Sequence, residues 1–261
     1  FAGELFAETC AKVFTARGIK VLQAKGFVST PMISYAAVHY KADLGIIITA
    51  SHNPPSYNGY KIKGSYGGPL APEDVQEIED LIAAAPPAGW QKQDLNDAAK
   101  KGLLEIAPME DLYIRHTEKS FDLRAIRQAG FKLAYDAMYG SGQRVVLRLF
   151  PEITALRCEH NPGFNGQAPE PIHKNLLELS RLVSTTDISC GLATDGDADR
   201  LGLYDEKGRF VDSHHLILLL IHYLVKYKKM KGKVVVAFST SVRIKKLCEH
   251  YKLELQVVPI G

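Results

Sequence analysis

The sequence predicts an α/β protein built from consecutive layered domains, and three observations carry that expectation. Short apolar runs rich in β-branched residues, such as 44–48 and 233–238, alternate with stretches whose apolar residues recur at helical spacing. Two of these runs lead directly into loops crowded with polar and ionisable groups, at 49–61 and 195–200. That is where α/β proteins place their sites, at the carboxyl ends of strands. Finally, 261 residues suit two domains, or two and a part.

Composition removes several classes. A hydrophobic content of 46% and a charged content of 23% are ordinary for a soluble globular protein. The richest apolar stretch, 214–225, contains His222 and ends in Lys226, Lys228 and Lys229, so no membrane span is expected. A net charge of +3, evenly spread, gives no argument for nucleic acid. The lysines of 226–233 read as a solvated helix end. Cys10, Cys158, Cys190 and Cys248 lie far apart and match neither a metal site nor a disulfide framework. Reduced thiols in a cytoplasmic protein are the expectation. The chain opens at Phe1 without Met or a signal-like segment, so a missing native N-terminus is expected.

The elements follow in order. Leu5, Phe6, Cys10, Val13 and Phe14 give a helix over 3–17 with Gly18 past its end, and 19–24 is a strand. Thr30 and Pro31 read as a cap and first-turn proline of a helix to about Lys41, with Met32, Ile33, Ala36, Ala37 and Tyr40 on one face. The strand into the first polar loop follows, then a return strand at 61–63. A helix is expected over 72–84, with Val75, Ile78, Leu81 and Ile82 on its apolar face. The Pro-Pro break at 85–89 and the polar run to 101 place the first domain boundary near residue 101. A strand at 103–107, a helix at 108–121 and a strand at 131–136 come next. The strand ends in M-Y-G-S-G at 138–142, a turn that either binds phosphate or packs tightly, before a helix at 143–149. Then come a strand at 153–159, a loop at 160–171, a helix at 175–183 and a strand at 190–194. His160 and His173 read as solvated. A hairpin over 201–211, a helix capped by Asp212 or Ser213, and a strand–helix–strand unit at 233–259 complete the chain.

The first loop, T-A-S-H-N-P-P-S-Y-N-G-Y-K at 49–61, brings Ser51, His52 and Lys61 together. A hydroxyl, an imidazole and an amine at a strand end suit chemistry on a small molecule, although Ser51 beside His52 alone is also what a polar turn looks like. The second loop, D-G-D-A-D-R at 195–200, sets Asp195, Asp197 and Asp199 at alternate positions, which in extended chain turns them to one side. Hard oxygen ligands so grouped suit Mg²⁺. An EF-hand spacing with Glu206 fails, because Arg200 stands where that loop needs glycine.

These two loops together resemble the phosphoserine and metal-binding loops of the α-D-phosphohexomutases, the phosphoglucomutase/phosphomannomutase family. M-Y-G-S-G at 138–142 and F-N-G-Q-A-P-E-P at 164–171 also resemble segments of that family. The resemblance implies four domains around a cleft, three of them related α/β units. This chain would hold domain I over 1–101, domain II over 102–208 and part of domain III from 209 to 261, incomplete at both ends. It implies that Ser51 is a phosphoserine that gives its phosphoryl group to a hexose phosphate and takes the other one back from the bisphosphorylated sugar. Asp195, Asp197 and Asp199 would hold Mg²⁺ with a phosphoserine oxygen. Lys61 would be the general acid/base, its pKa lowered by the metal and Arg200. His52 and Arg200 would stabilise transferred charge, and Asn53 and Asn58 would shape the loop. Glucose 1,6-bisphosphate would be the activating donor. Tyr57 before Asn58-Gly59 resembles the glucose and mannose mutases more than the glucosamine mutases. A metal-dependent sugar phosphatase and a non-catalytic fragment are the competing expectations.

Overall fold

The computed structural model describes residues 2–82 and 88–259. The chain opens with α1 (Gly3–Ala16), ended by Gly18 at φ 76°, then β1 (Val21–Ala24) and α2 (Thr30–His39). A hairpin follows, β2 (Leu44–Thr49) and β3 (Gly59–Gly64), antiparallel over its whole length from Leu44 opposite Gly64 to Thr49 opposite Gly59. The expected return strand is therefore longer at both ends. Ala50–Asn58 becomes the connection of a tight two-stranded unit, which holds Ser51 at a hairpin end.

Next come α3 (Pro72–Asp80), α4 (Leu95–Lys100), β4 (Leu104–Ala107) and α5 (Met109–Ser120). Among the described residues the expected apolar face of the helix over 72–84 is only partly covered: Val75 is half-buried, while Leu81 is 84% exposed and Ile82 71%. Ala83 and Ala84 of that expectation, and the break at Ala85, Pro86 and Pro87, lie outside the described residues. The polar run taken to mark the domain boundary contains α4. Asp94 caps it by accepting from the backbone N–H groups of Asn96 and Asp97, and Ala98 is completely buried. Part of the run's Asp- and Asn-rich composition serves that cap. As a result β4, expected beyond a boundary near residue 101, pairs in parallel with β1, Val21 opposite Leu104. Ala107 packs with Ala36 of α2 and with Met109 and Leu112 of α5.

After α6 (Leu123–Gln128), the second unit supplies β5 (Leu133–Asp136), α7 (Gln143–Leu149), β6 (Thr154–Leu156), α8 (Leu177–Thr185), β7 (Cys190–Thr194), β8 (Leu201–Tyr204) and β9 (Phe210–Val211). They form a five-stranded sheet in the order β6-β5-β7-β8-β9. β5 runs parallel to β6 and β7, and the last three strands are antiparallel. Leu176, Leu179, Val183 and Tyr204 pack with Ala134 and Ala193 as its core. β6 is shorter than expected because Arg157 turns to φ 46° and directs its guanidinium at Asp136, which is fully buried. Arg157 Nε donates to Asp136 Oδ1 at 2.8 Å and Nη2 donates to Oδ2. Nη1 reaches Gln167 Oε1 at 3.1 Å and Nη2 the carbonyl of Asn175 at 3.1 Å. One buried pair thus secures the whole loop between β6 and α8.

The remaining segment holds α9 (Ser213–His222), β10 (Lys233–Ala237), α10 (Val242–Tyr251) and β11 (Glu254–Val258), with β10 and β11 parallel. Asp212 and Ser241 cap its two helices, and α9 continues through a π-helical turn at Tyr223–Tyr227. Among the described residues no helix is long and apolar enough to cross a membrane, and all four cysteines are free thiols.

Removing the Arg157 head leaves an uncompensated charge in the core of the second unit. Arg157→Leu is expected to lower unfolding stability by about 3–5 kcal/mol, the cost of breaking a buried pair from one side. Urea unfolding checks this, and the double change Asp136→Leu/Arg157→Leu is expected to recover much of the loss.

Candidate functional site

The hairpin end at Ser51 and the loop after β7 meet face to face. The second loop is built around Asp195, which is fully buried. Its Oδ1 accepts from the backbone N–H groups of Asp199 at 3.0 Å and Arg200 at 3.1 Å, and Ala198 turns the chain at φ 55°. An aspartate that satisfies its own turn in this way needs no helix or sheet ladder to hold it. Its Oδ2 accepts the Ser51 hydroxyl at 2.9 Å. From β3, Lys61 Nζ donates to Asp197 Oδ2 at 2.8 Å and to Asp199 Oδ2 at 3.3 Å. Oxygens of Asp195, Asp197 and Asp199 converge within 4.8 Å of one another.

The two loops touch backbone to backbone. A Cβ on Gly196 would lie 2.4 Å from the Ser51 carbonyl oxygen and 3.1 Å from Pro169 Cγ. Beneath them lies the turn at 138–142. A Cβ on Gly140 would stand 2.7 Å from the Asp195 carbonyl, and Ser141 N–H donates to the Gly196 carbonyl at 2.9 Å. Of the two sequence readings of this turn, tight packing is the observed one, since the N–H groups of Gly140 and Ser141 are already donated to Ala137 and Gly196. Tyr135 and Thr194 share a 2.7 Å hydroxyl bond alongside.

Sequence reasoning missed Thr30. It was expected to cap α2, yet the structure puts Ser29 at the cap with no side-chain cap bond. Thr30 N–H donates to the Asp197 carbonyl at 2.9 Å and its hydroxyl to Asp197 Oδ2 at 2.8 Å. A partner 167 residues away leaves no local signal. His173, read as solvated, instead shares a 2.9 Å bond with the buried Tyr204 hydroxyl, and His160 stacks on Phe27.

Electrostatics sort the groups. Burial, and then the neighbouring Asp197, push the Asp195 carboxyl up to about 6. Burial also acts upward on Asp197, but bonds from Lys61 and Thr30 outweigh it and hold that carboxyl below the usual range. With only protein groups around it, burial acts to lower the Lys61 pKa, and Asp197 and Asp199 outweigh that and raise it. The lowering expected of Lys61 belongs to a site that holds a metal, and Arg200 is exposed. His52 is half-buried, with Nδ1 buried and unpartnered among the described residues. Ser51 sits at φ 53°, a conformation its N–H supports by donating to Thr49 Oγ1 at 2.9 Å.

One atom tests whether a cation belongs here. Asp197 Oδ1 is buried with no hydrogen-bond partner among the described residues. A buried carboxylate oxygen is costly unless paired with charge. An unpaired oxygen beside two other aspartates fits a hard divalent ion such as Mg²⁺.

Comparison with known proteins matches two family models: phosphoglucomutase/phosphomannomutase alpha/beta/alpha domain I over residues 1–88 and domain II over 111–208. A probable phosphoglucosamine mutase of Methanopyrus kandleri is 31% identical over 251 residues, 95% of this chain and 53% of that one. A phosphoglucomutase of Neisseria meningitidis serogroup B is 32% identical over 223 residues, 84% of this chain and 45% of that one. The crystal structure of a putative phosphomannomutase from Thermus thermophilus superposes with a TM-score of 0.88 at 33% identity, covering 100% of this chain and 59% of that one. The chain spans about half the length of the curated relatives it matches.

The Gly196 contact makes a direct prediction. Because the atom it would meet is backbone, Gly196→Ala cannot be absorbed by a rotamer change. It is expected to cost about 1–3 kcal/mol of stability, as overpacking does, and to part the two loops. Thermal unfolding and a crystal structure of the variant check both consequences.

Proposed function

The chain belongs to the phosphoglucomutase/phosphomannomutase family, and on that premise we propose that it carries the phosphoryl-transfer half of a hexose-phosphate mutase. The observation that carries this reading is the Ser51 hydroxyl 2.9 Å from a buried carboxylate of a three-aspartate cluster, with Lys61 bound to the same cluster. Ser51 is the phosphoryl carrier. Its O–P bond breaks as a new one forms to a sugar hydroxyl, whose proton passes to a base. The return step reverses this with the other phosphate of the bisphosphorylated sugar.

Asp195, Asp197 and Asp199 would hold Mg²⁺ together with a phosphoserine oxygen. When bound, the ion supplies neutralisation of phosphoryl charge, the main requirement of a reaction that needs positioning more than covalent help. Lys61 holds and moves the proton at the sugar oxygen. His52, next to the carrier serine in the chain, brings a half-buried imidazole, and Arg200, at the end of the aspartate loop, an exposed guanidinium; both are suited to phosphate oxygens. Glucose and mannose phosphates are the proposed substrates, supported by Tyr57 before Asn58-Gly59. The phosphoglucosamine mutase named among the relatives supplies the competing sugar.

Charging separates these readings. With Mg²⁺ and glucose 1,6-bisphosphate, intact mass and site mapping are expected to find one phosphoryl group on Ser51, absent in Ser51→Ala. Failure of both this chain and a longer version to charge would sink the assignment. Discharge of the charged chain is expected onto glucose 6-phosphate and mannose 6-phosphate ahead of glucosamine 6-phosphate. Discharge onto water instead would make it a phosphatase. Lys61→Met is expected to slow charging about 10²–10⁴-fold, the usual contribution of a positioned acid/base group, as measured by the same mass assay over time.

A further inference from the structure

We infer that Thr30 is a positioning residue for the cation site: it anchors one oxygen of Asp197 so that the other is left for the ion. The inference rests on the reading of Asp195, Asp197 and Asp199 as a divalent-cation site. Asp197 Oδ2 accepts the Thr30 hydroxyl and the Lys61 ammonium, each at 2.8 Å. Oδ1 accepts nothing among the described residues although it is buried. A carboxylate with both donors on one oxygen cannot rotate without losing two bonds. Its second oxygen is therefore fixed in direction before any ion arrives.

The helix behind Thr30 bears out the specialisation. Residues at this end of a helix are good places for hydroxyls that cap the free N–H groups. Here α2 has no side-chain cap bond, and the Thr30 hydroxyl goes to Asp197. Even Thr30 N–H, one of the free donors of that helix end, goes to the Asp197 carbonyl. Thr30 is 4% exposed and Asp197 3%, so water offers neither an easy substitute. Asp197 is gripped at main chain and side chain by one residue at the start of α2. Groups that orient a metal ligand from behind typically change metal affinity 10–100-fold when removed.

The test uses the whole 261-residue chain and Mg²⁺ alone, by calorimetric titration. Thr30→Val keeps the branched shape and the N–H but removes the hydroxyl. Its Mg²⁺ Kd is expected to rise about 10–100-fold, and the Mg²⁺-induced rise in melting temperature to shrink. Thr30→Ser, which restores the hydroxyl, is expected to recover both. A merely structural threonine would alter melting in EDTA and leave the Kd alone. Unchanged affinity in Thr30→Val, with normal binding by the unaltered chain, would overturn this inference and leave the site reading standing. No Mg²⁺ binding by the unaltered chain, or undiminished binding by Asp195→Ala, would overturn the site reading and this inference with it. Should Thr30→Val not fold, a Mg²⁺-bound crystal structure of the unaltered chain decides: the Thr30 hydroxyl on Asp197 Oδ2 upholds the inference, and its release overturns it.

Discussion

Three carboxylates whose oxygens converge within 4.8 Å repel one another, and much of the surrounding structure is arranged to hold them there. At such separations each like-charged pair opposes folding by on the order of 3–4 kcal/mol at the effective dielectric of a protein surface. The offsets are visible atom by atom. Asp195 takes two backbone N–H groups and the Ser51 hydroxyl. Asp197 takes Thr30 and Lys61, and Lys61 also reaches Asp199. These donors come from three separate places in the chain: the start of α2, the β2–β3 hairpin and the loop's own backbone. The charge cluster is thus a demand placed on the tertiary fold, since no single segment could satisfy it.

That demand requires the two loops to keep fixed relative positions, and an apolar cluster does this. Met32 of α2, Ile114 of α5, Leu123 of α6 and Val145 and Leu149 of α7 pack as one buried group. It joins the helices behind the Ser51 hairpin to those of the five-stranded sheet. Burying a side chain of this size is worth about 1.5–3 kcal/mol, so the group resists separation strongly. Met32 lies two positions after Thr30 on the same helix. The helix that grips Asp197 is itself pinned by the apolar joint, so a shift at the joint would be felt at the carboxylate.

The parts of this arrangement that local patterns encode were legible in the sequence. The runs of β2 and β7, the polar loops that follow them and the cap Asp212 each depend on neighbours a few residues away. The parts that depend on distant partners were not. The pairing of β4 with β1 crosses a polar stretch that reads as a domain boundary, because an aspartate that caps a short helix and one that sits in a turn look alike. Thr30 before Pro31 matches a helix cap so well that its hydroxyl's true partner stays hidden. The lowering expected of Lys61 rests on a bound ion, whereas the two carboxylates that the amine meets act upward, and residue types alone do not reveal that pairing.

Backbone strain follows the same logic. Ser51, Met138, Tyr139, Arg157 and Ala198 all adopt positive φ without being glycine, and each belongs to the two facing loops or to the segments that support them. Such residues cost stability and persist only where surrounding contacts over-determine them. Here those contacts are identifiable. Ser51 N–H bonds to Thr49, the Arg157 guanidinium to Asp136, and Met138 N–H to the same aspartate. Asp136 thereby fixes two strained positions through one buried carboxylate, while the Asp197 oxygen with no partner among the described residues stays at the centre of the cluster. A fold selected for stability alone would relax the strained turns and pair that oxygen. That both features survive within one pair of loops, on a frame otherwise well packed, argues that the loops are shaped by what they hold rather than by what they contribute to folding.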